Sequence, residues 1–264
     1  MIRIEADDFR QTYVVAKNEI RKFVRGKKLA IYVALVAAIF ALITILPYAL
    51  GGGLGDTPGK VVSAYFMFAS FLPVLAATLF ASSVYVSEFE ERTALILFTR
   101  PVKKTSVFIG KFIGCLVLEI LVIIGFYVAV AMAALAAAGS IPVGIFGSSL
   151  GLICLYMFAT SGVAAVFSTM MRKSGTAAIM TFLTILMFVT IFTQIIQAST
   201  GADTWFMLDT AAEAIVSCVP EYREMMSEFA TVAAPDVGKA AAAMIGWGAA
   251  STALSWIMFT RKEL

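Results

Sequence analysis

Six stretches of this chain are long and apolar enough to cross a membrane, and this feature limits its possible folds most strongly. Five contain no charged residue, and the sixth, at 112–138, contains only Glu119. Each exceeds the roughly 20 apolar residues that cross a hydrocarbon core about 30 Å thick. The alternating segments of about 10 residues that are typical of a β-barrel are absent. We therefore predict an all-α integral membrane protein with six transmembrane helices, at residues 29–50, 61–86, 107–138, 143–171, 174–198 and 240–260.

Lysine and arginine are distributed unevenly between the two sides of this predicted bundle. Of the 20 basic residues, 17 lie before residue 29, within 87–111, at 172–173 or at 261–262. Only Lys60, Arg223 and Lys239 fall on the other side. Basic residues are enriched on the cytoplasmic side of membrane proteins. We therefore expect a multi-pass protein of the cell membrane with both termini and the 87–111 segment in the cytoplasm.

The segment before the first span has the pattern of an amphipathic helix. In residues 1–28, Phe9, Tyr13, Ile20 and Phe23 recur at helical spacing, and basic residues fill much of the remaining surface. This pattern predicts a helix at the inner membrane surface. Two roles remain open at this point: the helix either only fixes orientation against anionic lipid or also braces a cytoplasmic partner.

The segment between the fifth and sixth spans, residues 199–239, is acidic and helical in composition, with Pro220 dividing it. We predict a helical extracytoplasmic segment. It is either a solvated acidic cap or a lid over an exit path, and the sequence favours neither role.

Residues 87–106 form a charged segment between the second and third spans. Ser87 followed by Glu90 matches a capping box, and the acidic residues of the first turn suit the positive end of a helix dipole. Pro101 should end the helix, because the residue before a proline avoids the α region. We predict a short cytoplasmic helix whose charges suit docking into a groove on a soluble partner.

The stretch "EFEERTALILFTRPVKKTSVFIGK" resembles the signature of ABC-2 type transporter permeases, and the branch linked to multicopper-enzyme maturation in particular. The resemblance implies one ABC-2 type transmembrane domain over 1–264, with an elbow helix at 1–28 and a coupling helix within 87–106. It also implies a permease subunit of an exporter, with two permease copies (a homodimer or a paralogue heterodimer) and two ATP-binding subunits. The resemblance further implies which residues take part in docking of the ATP-binding subunit. They are Glu88, Glu90, Glu91, Arg92, Thr93, Leu97, Arg100 and Pro101.

No nucleotide-binding motif is present in this chain. In the glycine-rich stretch 51–60, Gly53 and Gly59 are separated by five residues where a P-loop has four, and Val61 replaces the required Ser or Thr. We therefore expect ATP and Mg²⁺ on the partner subunit, no cofactor in this chain, and no enzyme activity of its own. Histidine is absent and the three cysteines are scattered, so we predict no metal site. Apart from protein subunits we expect the lipid membrane as a partner, and no nucleic acid.

Glu119 is the one charged residue of the apolar stretch 112–138, inside the predicted third span. It lies eight residues after Lys111, or roughly 12 Å along a helix. An ionised carboxylate at the bilayer centre costs about 2.5–3.5 kcal/mol, so the side chain should face the protein interior. It is either part of a translocation path or helix-coupling contact, or a single hydrogen bond between spans.

Two other functional classes remain as alternatives. A secondary transporter would show inverted repeats and several ionisable groups within the spans, and neither is evident. A membrane anchor that recruits a cytoplasmic complex without transporting anything is compatible with the sequence.

Overall fold

The computed structural model describes residues 6–55, 57–90, 103–201, 203–229 and 236–261. All the longer regular elements in these ranges are helices. Their bounds are α1 (Ala6–Arg25), α2 (Lys27–Ala49), α3 (Pro58–Phe66), α4 (Phe71–Leu79), α5 (Val86–Glu90), α6 (Lys104–Ala138), α7 (Val143–Met170), α8 (Ser174–Leu183), α9 (Val189–Thr200), α10 (Leu208–Val216), α11 (Pro220–Phe229) and α12 (Val237–Arg261).

The prediction of six transmembrane helices is confirmed. In the described part of the chain, six helical stretches are long and apolar enough to span a membrane. They are Lys27–Ala49, Pro58–Glu90, Lys104–Ala138, Val143–Met170, Ser174–Thr200 and Val237–Arg261. We call them spans 1 to 6 in this order.

Two of the spans are not regular α-helices along their whole length. Span 2 is interrupted at 67–70, between α3 and α4, where Ala69 and Leu72 bond to the carbonyls three residues earlier. Pro73 follows directly and has no N–H to continue the regular pattern, so this break has a local cause. Span 5 contains one π-helical turn, Thr184–Phe188, between α8 and α9.

Span 3 begins earlier than predicted. Lys104, Thr105 and Ser106 were expected to belong to the 87–106 coupling segment, but they form the first turn of α6. The remainder of that segment is described only as far as Glu90, and residues 91–102 lie outside the described residues. No proline or glycine lies between Lys104 and Val107, so the helix runs without interruption from Lys104 into the predicted span.

The interior of the bundle is built around span 4. Its helix α7 packs along α12, where Gly248 lies against the ring of Phe158 and the Ser255 hydroxyl donates to the carbonyl of Ala165. In the most apolar window of span 4, 61% of the residues are buried, compared with 17% in spans 1 and 5. Spans 1 and 5 therefore lie at the periphery and present apolar faces outward.

Contacts between the helices show that the segments connecting the spans lie at two opposite ends of the bundle. At one end, which we call the basic end, Lys22 and Lys111 both bond to Glu88, and the backbone N–H of Ser174 bonds to Glu90. The opposite end carries α10 and α11, and α11 packs on α3 with the Glu221 carboxylate beside Gly59. Pro220 begins α11, as expected from its predicted division of the 199–239 segment.

Candidate functional site

The start of the predicted docking segment is held in a buried network of ion pairs at the basic end. The Lys111 Nζ atom lies 2.8 Å from Glu19 Oε2 and 2.7 Å from Glu88 Oε1. Lys22 donates to Ser87 Oγ at 3.0 Å and to Glu88 Oε1 at 3.4 Å. We call Glu19, Lys22, Ser87, Glu88 and Lys111 the junction. It connects α1, α5 and span 3.

Burial makes the charges of the junction strongly interdependent. The side chains of Lys111 and Glu19 are each only 5% exposed, and that of Glu88 is 16% exposed. Removing one partner of a buried ion pair costs about 3–5 kcal/mol, because the other charge stays buried without compensation. The three helices are therefore fixed relative to one another for as long as the charges stay paired.

Two glycines let α1 approach span 3 closely enough for these pairs to form. A Cβ atom on Gly110 would lie 2.7 Å from the Thr12 carbonyl oxygen, and one on Gly114 would lie 2.8 Å from the Ala16 carbonyl oxygen. Small residues four apart share one helix face and permit such backbone contact. The pairing runs from Asp8 beside Lys103 to Glu19 beside Lys111, so α1 follows the first turns of span 3 in the same direction.

The same short segment is bonded to spans 4 and 5. The hydroxyl of Ser168 in span 4 accepts hydrogen bonds from the backbone N–H groups of Tyr85 and Val86, at 2.9 and 3.2 Å. Glu90 Oε2 accepts from the backbone N–H of Ser174, the first residue of span 5, at 2.9 Å. A displacement of α5 would therefore act directly on α1 and on spans 3, 4 and 5.

The predicted capping box was wrong. The helix begins at Val86, so Ser87 is inside it and its hydroxyl accepts from Lys22. Glu90 does not bond back to the start of its own helix, because its carboxylate reaches the free N–H group at the start of span 5. The N–H group of Ser174 has no acceptor within its own helix, so it is an equally good partner for the Glu90 carboxylate. Only the tertiary fold brings the two groups together.

The predicted docking residues divide into two groups. Glu88 and Glu90 are described, and both carboxylates bond to other parts of this chain. The other predicted docking residues lie outside the described residues: Glu91, Arg92, Thr93, Leu97, Arg100 and Pro101. Glu88 and Glu90 thus anchor the segment to the transmembrane helices.

Glu119 is completely buried between spans 3 and 4. Its Oε1 atom accepts from the Cys115 thiol at 3.2 Å, and its Oε2 atom accepts from the Ser161 hydroxyl at 2.6 Å. Because span 3 starts at Lys104, Glu119 lies about 22 Å from that end and about 28 Å from Ala138. The Ser161 contact joins spans 3 and 4, whereas the Cys115 contact lies within span 3.

Two residues of the junction, and Ser168 of span 4, were not singled out from the sequence. Glu19 and Lys22 looked like ordinary charges of an amphipathic helix, and Ser168 like any polar residue of a span. The spacing of Gly110 and Gly114 on either side of a lysine was the one local signal of a close helix contact. It indicates that a helix packs there but does not say which one.

Comparison with known proteins agrees with this architecture. A model of the ABC-2 family transporter protein matches residues 13–264. Two curated relatives are each named "Probable ABC transporter permease protein NosY". The one from Stutzerimonas stutzeri is 34% identical over 119 residues, which cover 44% of this chain and 43% of the relative. The one from Pseudomonas aeruginosa is 29% identical over 191 residues, which cover 67% of each chain. The alignment with the Stutzerimonas stutzeri protein thus spans less than half of that protein's own length. The family match covers nearly the whole chain, and the chain therefore belongs to the ABC-2 transporter family, as a multi-pass membrane permease.

Proposed function

We propose that this chain is the transmembrane subunit of an ATP-driven transporter, and that it exports a substrate from the cytoplasm or the inner leaflet. A separate ATP-binding subunit would dock on the 87–101 segment, with both termini of the permease on the same cytoplasmic side. Two permease copies would assemble with two ATP-binding subunits. The family assignment, the names of the curated relatives and the concentration of basic residues at one end support this proposal.

The junction is the observation that supports it best. A docking helix can drive transport only if its movement reaches the transmembrane helices. Here α5 is bonded to α1, to span 3 through Lys111, to span 4 through Ser168 and to span 5 through Glu90. A rigid connection of this kind transmits a displacement, because buried ion pairs resist separation.

The structure changes the choice of residues that should be mutated to test docking. Replacing Glu90 would break a bond within the permease, so loss of a partner from that variant would not report on docking alone. Leu97 and Arg92 lie in the part of the segment beyond Glu90. We expect that Leu97→Asp and Arg92→Glu each abolish co-purification of the ATP-binding subunit, whereas Glu90→Gln retains it.

The experiment is purification of the tagged full chain from its native membranes in mild detergent, followed by identification of stoichiometric partners. A bound ATP-binding protein that is lost from Leu97→Asp and kept by Glu90→Gln supports docking on this segment. Absence of any ATP-binding protein from the intact wild-type preparation would contradict the proposal.

The anchor alternative predicts a different result in the same preparation. A non-transporting anchor would still bind the ATP-binding subunit through 91–101. However, ATP turnover by the bound subunit would be unaffected by Lys111→Met, a change that breaks the ion pairs of Lys111 in the junction. A coupled permease should show altered ATP turnover in that variant while the complex stays assembled.

A further inference from the structure

A cavity at the basic end, between spans 4 and 6, is not part of the junction. It has a volume of about 380 Å³ and is lined by Thr169, Met170, Met258 and Arg261. This volume is comparable to that of small-molecule sites, about 300–1,000 Å³, but the cavity is shallow and wide open to the surface. The cavity opens where α7 and α12 end, one turn or more beyond the contact between Ser255 and Ala165.

The lining combines an apolar wall with a positive charge. Met170 is 51% exposed, Met258 is partly exposed, and the Thr169 hydroxyl is used within its own helix, where it donates to the Val166 carbonyl. The Arg261 side chain is exposed, and no described carboxylate lies within ion-pair distance of it. The turn directly after α7 adds two further exposed basic residues, Arg172 and Lys173.

Position in the membrane identifies the kind of molecule that this surface meets. Met170 and Arg261 are the last residues of spans 4 and 6, so the cavity lies at the boundary between hydrocarbon and headgroups. Basic pockets between transmembrane helices on the cytoplasmic side suit anionic lipid headgroups, and methionine side chains suit acyl chains.

We propose that this cavity binds the headgroup of an anionic phospholipid, with the phosphate on Arg261 and the upper acyl chain along Met170 and Met258. Arg172 and Lys173 add to the positive potential at its entrance. A lipid bound there would bridge the ends of spans 4 and 6. The proposal depends on the membrane topology and does not require an ATP-binding partner.

The test is a binding measurement on the purified full chain. Native mass spectrometry after titration with phosphatidylglycerol, or with phosphatidylcholine of the same acyl chains, counts the bound lipids. We expect preference for phosphatidylglycerol, and roughly fivefold weaker binding of the tightest lipid by Arg261→Gln. Met258→Trp keeps the charge but fills the cavity, and it should weaken the same binding event.

Arg21→Gln is the matched control, because Arg21 is an exposed basic residue of the same end that does not line the cavity. It should bind phosphatidylglycerol as the parent does. Equal losses in Arg261→Gln and Arg21→Gln would show general charge attraction and overturn the proposal. Undiminished binding by Met258→Trp, or equal binding of phosphatidylcholine, would overturn it as well. An unchanged melting temperature in the variants would show that the fold is intact.

Discussion

Lys111→Met tests whether the junction holds the basic end together. Methionine keeps most of the length of lysine but removes the charge that faces two carboxylates. Glu88 would retain Lys22 at 3.4 Å, whereas Glu19 has no second described cation within ion-pair distance. Glu19 is 5% exposed, so its charge would remain buried and uncompensated. The expected loss of unfolding free energy is about 3–5 kcal/mol.

This loss should be visible as a lower melting temperature. For a chain of this size, 1 kcal/mol corresponds to roughly 2–4 °C, so the expected decrease is roughly 6–20 °C. The assay is thermal unfolding of the purified full chain in detergent, followed by tryptophan fluorescence. The double variant Lys111→Met/Glu19→Gln removes the uncompensated charge and should recover at least half of the decrease.

Lys103→Met is the control for loss of a lysine from the same region. Lys103 lies 2.7 Å from Asp8, but its side chain is 49% exposed. Exposed pairs contribute only about 0–1 kcal/mol, so this variant should melt within about 4 °C of the parent. The reasoning fails if Lys111→Met and Lys103→Met melt alike, or if adding Glu19→Gln lowers the melting temperature further.

Three other changes have defined outcomes. Gly114→Ala should lower the melting temperature and separate α1 from span 3, because its Cβ would meet the Ala16 carbonyl oxygen at 2.8 Å. Gly125→Ala should leave the melting temperature unchanged, because nothing lies within 4 Å of the added atom. Equal melting temperatures of the two variants would contradict the close contact at Gly114. Glu119→Leu leaves the Ser161 hydroxyl without its acceptor at a cost of about 1–3 kcal/mol, whereas Glu119→Gln keeps an acceptor oxygen and should be closer to the parent in melting temperature and transport. Normal transport by Glu119→Leu would exclude a role for this residue in transport. Partial desolvation, and secondarily the charge of Asp209, raises the pKa of Glu213 in α10, although its side chain is still exposed. Its contribution to stability is therefore complete below the ordinary carboxyl pKa of about 4.3 and is lost as the pH rises through the raised value. Glu213→Gln should thus melt higher than the parent at pH 7 and like the parent at pH 4, and an identical difference at both pH values would contradict this assignment.

The junction shows why the sequence was informative about one part of the site and not about the other. The motif around Pro101 and Lys111 identified the family and predicted the segment on which a partner would dock. It did not reveal that Glu88 and Glu90 face the permease itself, since their partners Lys111 and Ser174 are 23 and 84 residues away. A carboxylate in the first turn of a helix is equally compatible with capping, docking or a distant ion pair.

The sequence by itself determined the six membrane-spanning helices and predicts the side on which the basic residues lie, and the break beside Pro73 also has a local cause. Each of these depends on a local property: the length of an apolar run against the thickness of the hydrocarbon core, the side on which basic residues accumulate, or one missing N–H. Only the tertiary structure decided which charges meet. Glu19 and Lys111 are 92 residues apart, and their ion pair exists because Gly110 and Gly114 bring two helix backbones together. Such a contact depends on the relative position of whole helices, which no single segment specifies.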